Sequence, residues 1–220
     1  MHAQDVKQEE RMASVSRAKD KWLWLAQVVS RYTNPLYIAP PLLLVVAAAD
    51  ASGPIHALLS WIVAIVGVSV APYMFVRWGV RRGRYSDFHV SRREQRLVPL
   101  TLGVVCIGCS MLLLVWMNAP AALIGTLAAI VISFAAALAI TQLARWKISL
   151  HLIGVTGAVT TLVALFGPPL LALAPLVALV GWSRWKVNAH TPLQAGVGAL
   201  LAVAVTVGVF HYFGIIGTGG

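Results

Sequence analysis

Charge is scarce in this chain. Only 11% of its 220 residues are Asp, Glu, Lys or Arg, against about 25% in an ordinary soluble domain. So little charge cannot cover a water-soluble globule, which disfavours a soluble enzyme, a disordered chain and a secreted disulfide-rich module. Acidic residues are fewest: seven in all, and none beyond Glu94. The long C-terminal stretch therefore offers nothing to a carboxylate-bound metal. Cysteine is limited to Cys106 and Cys109, too few for a disulfide framework. Their C-x-x-C spacing has no second pair and lies in an apolar run, where small-residue helix packing is the expected role. No apolar stretch sits near the start, so a cleavable signal peptide is not expected.

What the chain has is hydrocarbon. Hydrophobic residues make up 59%, and the mean hydropathy is +0.82. A helix needs roughly 17–25 apolar residues to cross a bilayer. Seven apolar runs can be marked, near 33–50, 55–76, 97–117, 119–142, 149–166, 168–182 and 192–213. The sixth is short, and only Gly167-Pro168-Pro169 separates it from the fifth, so that pair can also be read as a hairpin that does not fully cross. The expected fold is all-α, a polytopic membrane helix bundle with six or seven transmembrane helices over residues 33–215. Residues 1–32 form an N-terminal arm in which Val15, Ala18, Trp22, Leu25 and Val29 recur at helical spacing. That stripe suits an amphipathic helix in the cytoplasmic interface, and equally a solvated arm whose last turn packs on the bundle.

The formal net charge is +10. On a soluble protein that would point to nucleic acid. Here the basic residues sit at the ends of apolar runs, so membrane lipids are the expected partner and nucleic acid is not. All 17 Lys and Arg fall in the arm or in segments 77–96, 143–148 and 183–191. With seven spans these four segments share one side, and the positive-inside rule makes it cytoplasmic, in the cell membrane. Trp22, Trp24, Trp78, Trp146, Trp182 and Trp185 fall on the basic side, as an interfacial belt does; Trp61 and Trp116 lie nearer the other.

Three polar segments share the basic side: 87–99, 147–151 and 183–194. Ionisable groups at the head of a membrane helix are costly unless paired or wet, so they mark candidate sites. Residues 149–151 and 190–192 each open a run, where free N–H groups and the positive dipole end favour an anion. Two histidines, several arginines and two helix starts describe a phosphate or diphosphate pocket. Each residue also has a plainer role. His190 suits an interfacial cap and His151 a structural histidine. The arginines of 81–96 suit an anchor on anionic lipid, and His56 and His211 fall on the opposite side.

Ser183-Arg184, five residues, His190, three residues, Gln194 resembles the third signature of the type-2 phosphatidic acid phosphatase (PAP2) superfamily, Ser-Arg-x5-His-x3-Asp. Ser149-Leu150-His151 is similar to the Ser-Gly-His core of that family's second signature. Segment 87–99 resembles the first, Lys-x6-Arg-Pro, loosely: Arg96 takes the place of the Arg, Leu97 follows it instead of Pro, and His89 stands at the Lys spacing, with Arg92 and Arg93 nearer in charge. The resemblance covers roughly residues 87–200. It implies a metal-independent phosphohydrolase without cofactor, acting on a lipid phosphate or isoprenyl diphosphate. His190 would be the nucleophile and His151 the general acid. Arg184, Arg96 and Arg92 or Arg93 would hold phosphate oxygens, Ser149 would donate a hydrogen bond to them, and Gln194 would orient His190.

These residue types suit that chemistry. An imidazole with an unperturbed pKa of about 6.5 is neutral enough to attack near pH 7. A second one can protonate the leaving oxygen. Guanidinium forks match the spreading negative charge. The departure is Gln194, which stands where the family has Asp. Its oxygen can fix a tautomer but cannot neutralise an imidazolium. Asp87 or Glu94 would have to serve instead. The alternative is a catalytically degenerate member that binds anionic lipid or a partner without turnover. Aspartate-dependent prenyltransferases and CDP-alcohol phosphotransferases would need Asp clusters that are missing. A transporter would need ionisable residues deep in a span.

Overall fold

The computed structural model describes residues 21–86, 90, 92–95 and 97–216, with only the backbone of Arg93. Val15 and Ala18 of the arm, and Asp87, His89 and Arg96 of the first polar segment, lie outside the described residues. The described chain is helical throughout, without strands. In order come α1 (Lys21–Tyr32), α2 (Pro35–Ala49), α3 (Pro54–Ile65), a π turn (Val66–Val70), α4 (Ala71–Arg81), a 3-10 turn (Arg93–Gln95), α5 (Leu97–Trp116), α6 (Ala121–Leu143), α7 (Leu150–Phe166), a 3-10 turn (Pro168–Leu173), α8 (Ala174–Lys186) and α9 (Pro192–Tyr212).

Four stretches are long and apolar enough to cross a membrane: Pro54–Arg81, Leu97–Trp116, Ala121–Leu143 and Pro192–Tyr212. Counting α1 and α2, bent by 50° at their junction, as one broken span makes five. The chain is a membrane protein with an all-helical bundle. The second run extends past residue 76 because α3 does not stop at Pro72. The π turn widens the helix just where that proline would remove an N–H and crowd a carbonyl. Arg77 and Arg81 then continue the helix to its basic end. The sixth run is interrupted near its start. Pro168 and Pro169 open a 3-10 turn, and α8 keeps only 13 helical residues. α7, with 17, sits at the lower length limit for a span.

α7 is the central helix. It packs against α9, α2, α8 and α6, and its buried residues run around most of its circumference: His151, Leu152, Ile153, Val155, Thr156, Ala158, Val159 and Thr161. At its head, Gly198 of α9 lies so close to the Ser149 carbonyl that an added Cβ would come within 2.9 Å. That close approach, of the kind small residues permit, sets the two helix starts beside each other. One apolar core joins α2, α3, α5 and α6 through Leu43, Val46, Ala64, Ile107 and Leu123. Another joins α7, α8 and α9 through Leu152, Val155, Val180 and Ala195, with Val29 of α1 packed against it. The last turns of α1 therefore dock on the bundle, with Ala26 and Ser30 buried while Trp22 and Trp24 stay exposed.

Candidate functional site

α8 brings Arg184 into its last helical turn and stops there. The Arg184 carbonyl accepts from the Ala189 N–H (3.0 Å) and the His190 N–H (3.2 Å), and Asn188 takes a positive φ of 54° between them. This is how a helix C-terminus closes on a left-handed residue, and Asn tolerates that conformation. The five-residue spacing between Arg184 and His190 thus becomes one tight corner, with both residues buried. Thr191 then caps α9 and Pro192 opens it. On the neighbouring helix, Ser149 is the N-cap of α7 and His151 its second residue. Both expected helix starts are present, with their positive ends toward the same region.

His151, His190, Arg184 and Lys147 line one cavity of about 130 Å³, together with Asn34 from the α1–α2 junction and Pro99 and Gly103 of α5. Among the described lining residues there is no Asp or Glu. The Lys147 ammonium donates to the Ala189 carbonyl (3.2 Å), tying the α6–α7 loop to the Arg184–His190 corner. His151 Nε2 lies 3.1 Å from the Ser30 carbonyl. A carbonyl only accepts, so Nε2 carries a proton. Arg184 Nη1 donates to the Ser30 hydroxyl. One serine of α1 therefore holds both an imidazole and a guanidinium of the site. Sequence reading missed Ser30 and did not place Lys147 among the phosphate ligands. The available signal was a lone serine on the face of α1 that also buries Ala26.

No family model, curated protein or solved structure matches this chain. The site rests on its own geometry.

That geometry separates the expected residues. His151, His190 and Arg184 come together. Arg92 is exposed and is not among the described lining residues. Arg96 and the Arg93 side chain lie outside what is described. Gln194 is engaged at the start of α9. Its Oε1 accepts from the Thr191 N–H (3.1 Å) while the Thr191 hydroxyl accepts from the Gln194 N–H (3.2 Å). This reciprocal capping box satisfies two N–H groups at the helix start. Ser149 is not among the described residues that line the cavity. It is fully buried, and its hydroxyl makes no hydrogen bond among the described residues.

Ser149→Ala is therefore expected to be neutral or stabilising by about 1 kcal/mol, because it removes a buried, unsatisfied hydroxyl. Anion binding at the cavity should be unchanged. Thermal unfolding in detergent and a phosphate titration check both statements; a tenfold loss of affinity would return Ser149 to the site.

Proposed function

We propose that this chain is a membrane phosphohydrolase that removes phosphate from a lipid phosphate or isoprenyl diphosphate, in the manner of the PAP2 superfamily. The observation that carries the reading is the meeting of His151, His190, Arg184 and Lys147 in one cavity at the heads of α7 and α9. His190 attacks phosphorus, forming a phosphoimidazole and expelling the alkoxide or phosphate leaving group. His151 supplies the leaving oxygen's proton. Water then attacks phosphorus, His151 takes its proton, and inorganic phosphate leaves. Arg184 and Lys147 bind the equatorial oxygens, where negative charge accumulates.

The topology that goes with this reading has seven spans: α1–α2 as one, α3–α4, α5, α6, α7, the 168–186 segment and α9. It puts the cavity on the basic, cytoplasmic side of the cell membrane. The neutral Gln194, standing where the PAP2 signature has Asp, favours a second reading, a PAP2-like protein that binds the phosphate headgroup with little turnover. Purified protein in nanodiscs is expected to release phosphate from at least one member of a panel of lipid and prenyl phosphates, with chelator present. Saturable binding of the same panel without product establishes the second reading. Neither binding nor product removes both.

A further inference from the structure

A serine or threonine inside a helix can satisfy its hydroxyl on the carbonyl four residues back. Thr126 and Thr141 of α6 do so, donating to the Ala122 carbonyl (2.7 Å) and the Ala137 carbonyl (2.6 Å). Ser133 of α6, Thr161 of α7 and Thr206 of α9 do not. They are 4%, 2% and 2% exposed, and none makes a hydrogen bond to another described residue. Such a hydroxyl is costly in the interior of a membrane bundle, because lipid offers it no partner.

These residues come from three helices and line one space. It is an inner cavity of about 60 Å³, which shares Pro35, Leu36, Val68 and Phe134 with the walls of the His151–His190 cavity. Thr161 lies ten residues along α7 from His151, about 15 Å at helical rise, and Thr206 lies fourteen residues from the start of α9, about 21 Å. The cavity therefore runs well below the helix starts. A Cβ added at Gly157 of α7 would meet the Thr206 hydroxyl at 3.9 Å, so that hydroxyl faces α7 across a small gap. Thr126 is a fourth hydroxyl in the wall. Its proton is given to Ala122, and its oxygen still accepts.

Size and chemistry select the occupant. The volume is less than half of the roughly 150 Å³ that admits a single benzene, so hydrocarbon does not fit. No described lining residue is charged, so an ion would lack a counter-charge. Water takes roughly 30 Å³ per molecule, which allows about two. A cavity without polar groups stays dry, but a buried water is held where about three hydrogen bonds await it. Two waters bonded to each other would then need about four further partners, and the wall supplies the hydroxyls of Thr126, Ser133, Thr161 and Thr206.

We infer that the inner cavity is a binding site for a water cluster of about two molecules, which joins α6, α7 and α9 through Ser133, Thr161 and Thr206 behind the His151–His190 cavity. The water site does not depend on the phosphohydrolase reading.

The experiment uses the full chain in phosphatidylcholine nanodiscs, as wild type, Ser133→Ala, Thr161→Val and Thr206→Val. Each variant removes one hydroxyl and keeps an apolar side chain. With water bound, each removes a hydrogen-bond partner, and the unfolding midpoint should fall by about 2–4 °C. A dry cavity predicts the opposite sign, because an unsatisfied hydroxyl is gone. X-ray radiolysis detects the water itself, since a bound molecule is the local source of hydroxyl radicals. Ile153 is buried and lines the inner cavity but not the polar one. It should be oxidised in the wild type and less so in every variant that folds. Ile153 unlabelled in the wild type, Ile153 labelled equally in the variants, or midpoints that rise or hold in the variants would each overturn the water site.

Discussion

His190→Ala is expected to lower phosphate release by at least about 10⁴-fold, the scale lost when a catalytic nucleophile or its partner base is deleted. The fold should survive, because the corner that carries His190 is built by main-chain hydrogen bonds to the Arg184 carbonyl, and alanine keeps them. Headgroup binding should weaken far less, since Arg184 and Lys147 remain in the cavity wall. Phosphate release and lipid-phosphate affinity measured on the same preparation separate the two effects. Gln194→Ala is the matched control. Its amide caps α9, so the expected loss is about 1 kcal/mol of stability and no more than about tenfold in rate. A loss in Gln194→Ala as deep as in His190→Ala would show that the amide reaches the imidazole during turnover. Unchanged release in His190→Ala would end the histidine mechanism.

The spans that could be read from sequence were the uninterrupted ones. Runs marked at 97–117, 119–142 and 192–213 became Leu97–Trp116, Ala121–Leu143 and Pro192–Tyr212, because a long apolar stretch in a bilayer has few backbone solutions other than helix. Proline made the other runs ambiguous. Pro72 is absorbed by a π turn, whereas Pro168 and Pro169 break the helix, and periodicity does not separate these outcomes. In the site, that His151 and His190 line one cavity is in keeping with their places at two helix starts. Ser30 was not, because its partners lie 121 and 154 residues away and depend on how α1 docks. Gln194 shows a conflict between two local signals. Thr191-Pro192-Leu193-Gln194 is a capping-box sequence with proline at the first helical position, and the same glutamine stands where the PAP2 signature that this segment resembles has Asp. The cap requires only residues already adjacent in sequence, and the glutamine makes it.

Arg184→Ala should produce the second-largest effect. A charge-assisted hydrogen bond contributes about 1.5–3 kcal/mol, so losing a guanidinium that meets phosphate should cost about 10²-fold in kcat/KM. Arg184→Lys should recover little of it. An ammonium lacks the planar fork that can contact the Ser30 hydroxyl and a phosphate oxygen together. Ser30→Ala discriminates between two accounts of this arginine. If the Ser30 hydroxyl only stabilises the junction of α1 with the bundle, its loss should lower the unfolding temperature and leave KM unchanged in the folded fraction. If it aims the guanidinium, KM should rise about tenfold while kcat stays near wild type, because the His151 contact runs through the Ser30 main-chain carbonyl and persists in alanine. Steady-state kinetics on Ser30→Ala, Arg184→Lys and the double variant then measure the coupling. Additive losses would mean independent roles, and a double variant no worse than Arg184→Lys would place both side chains in one unit.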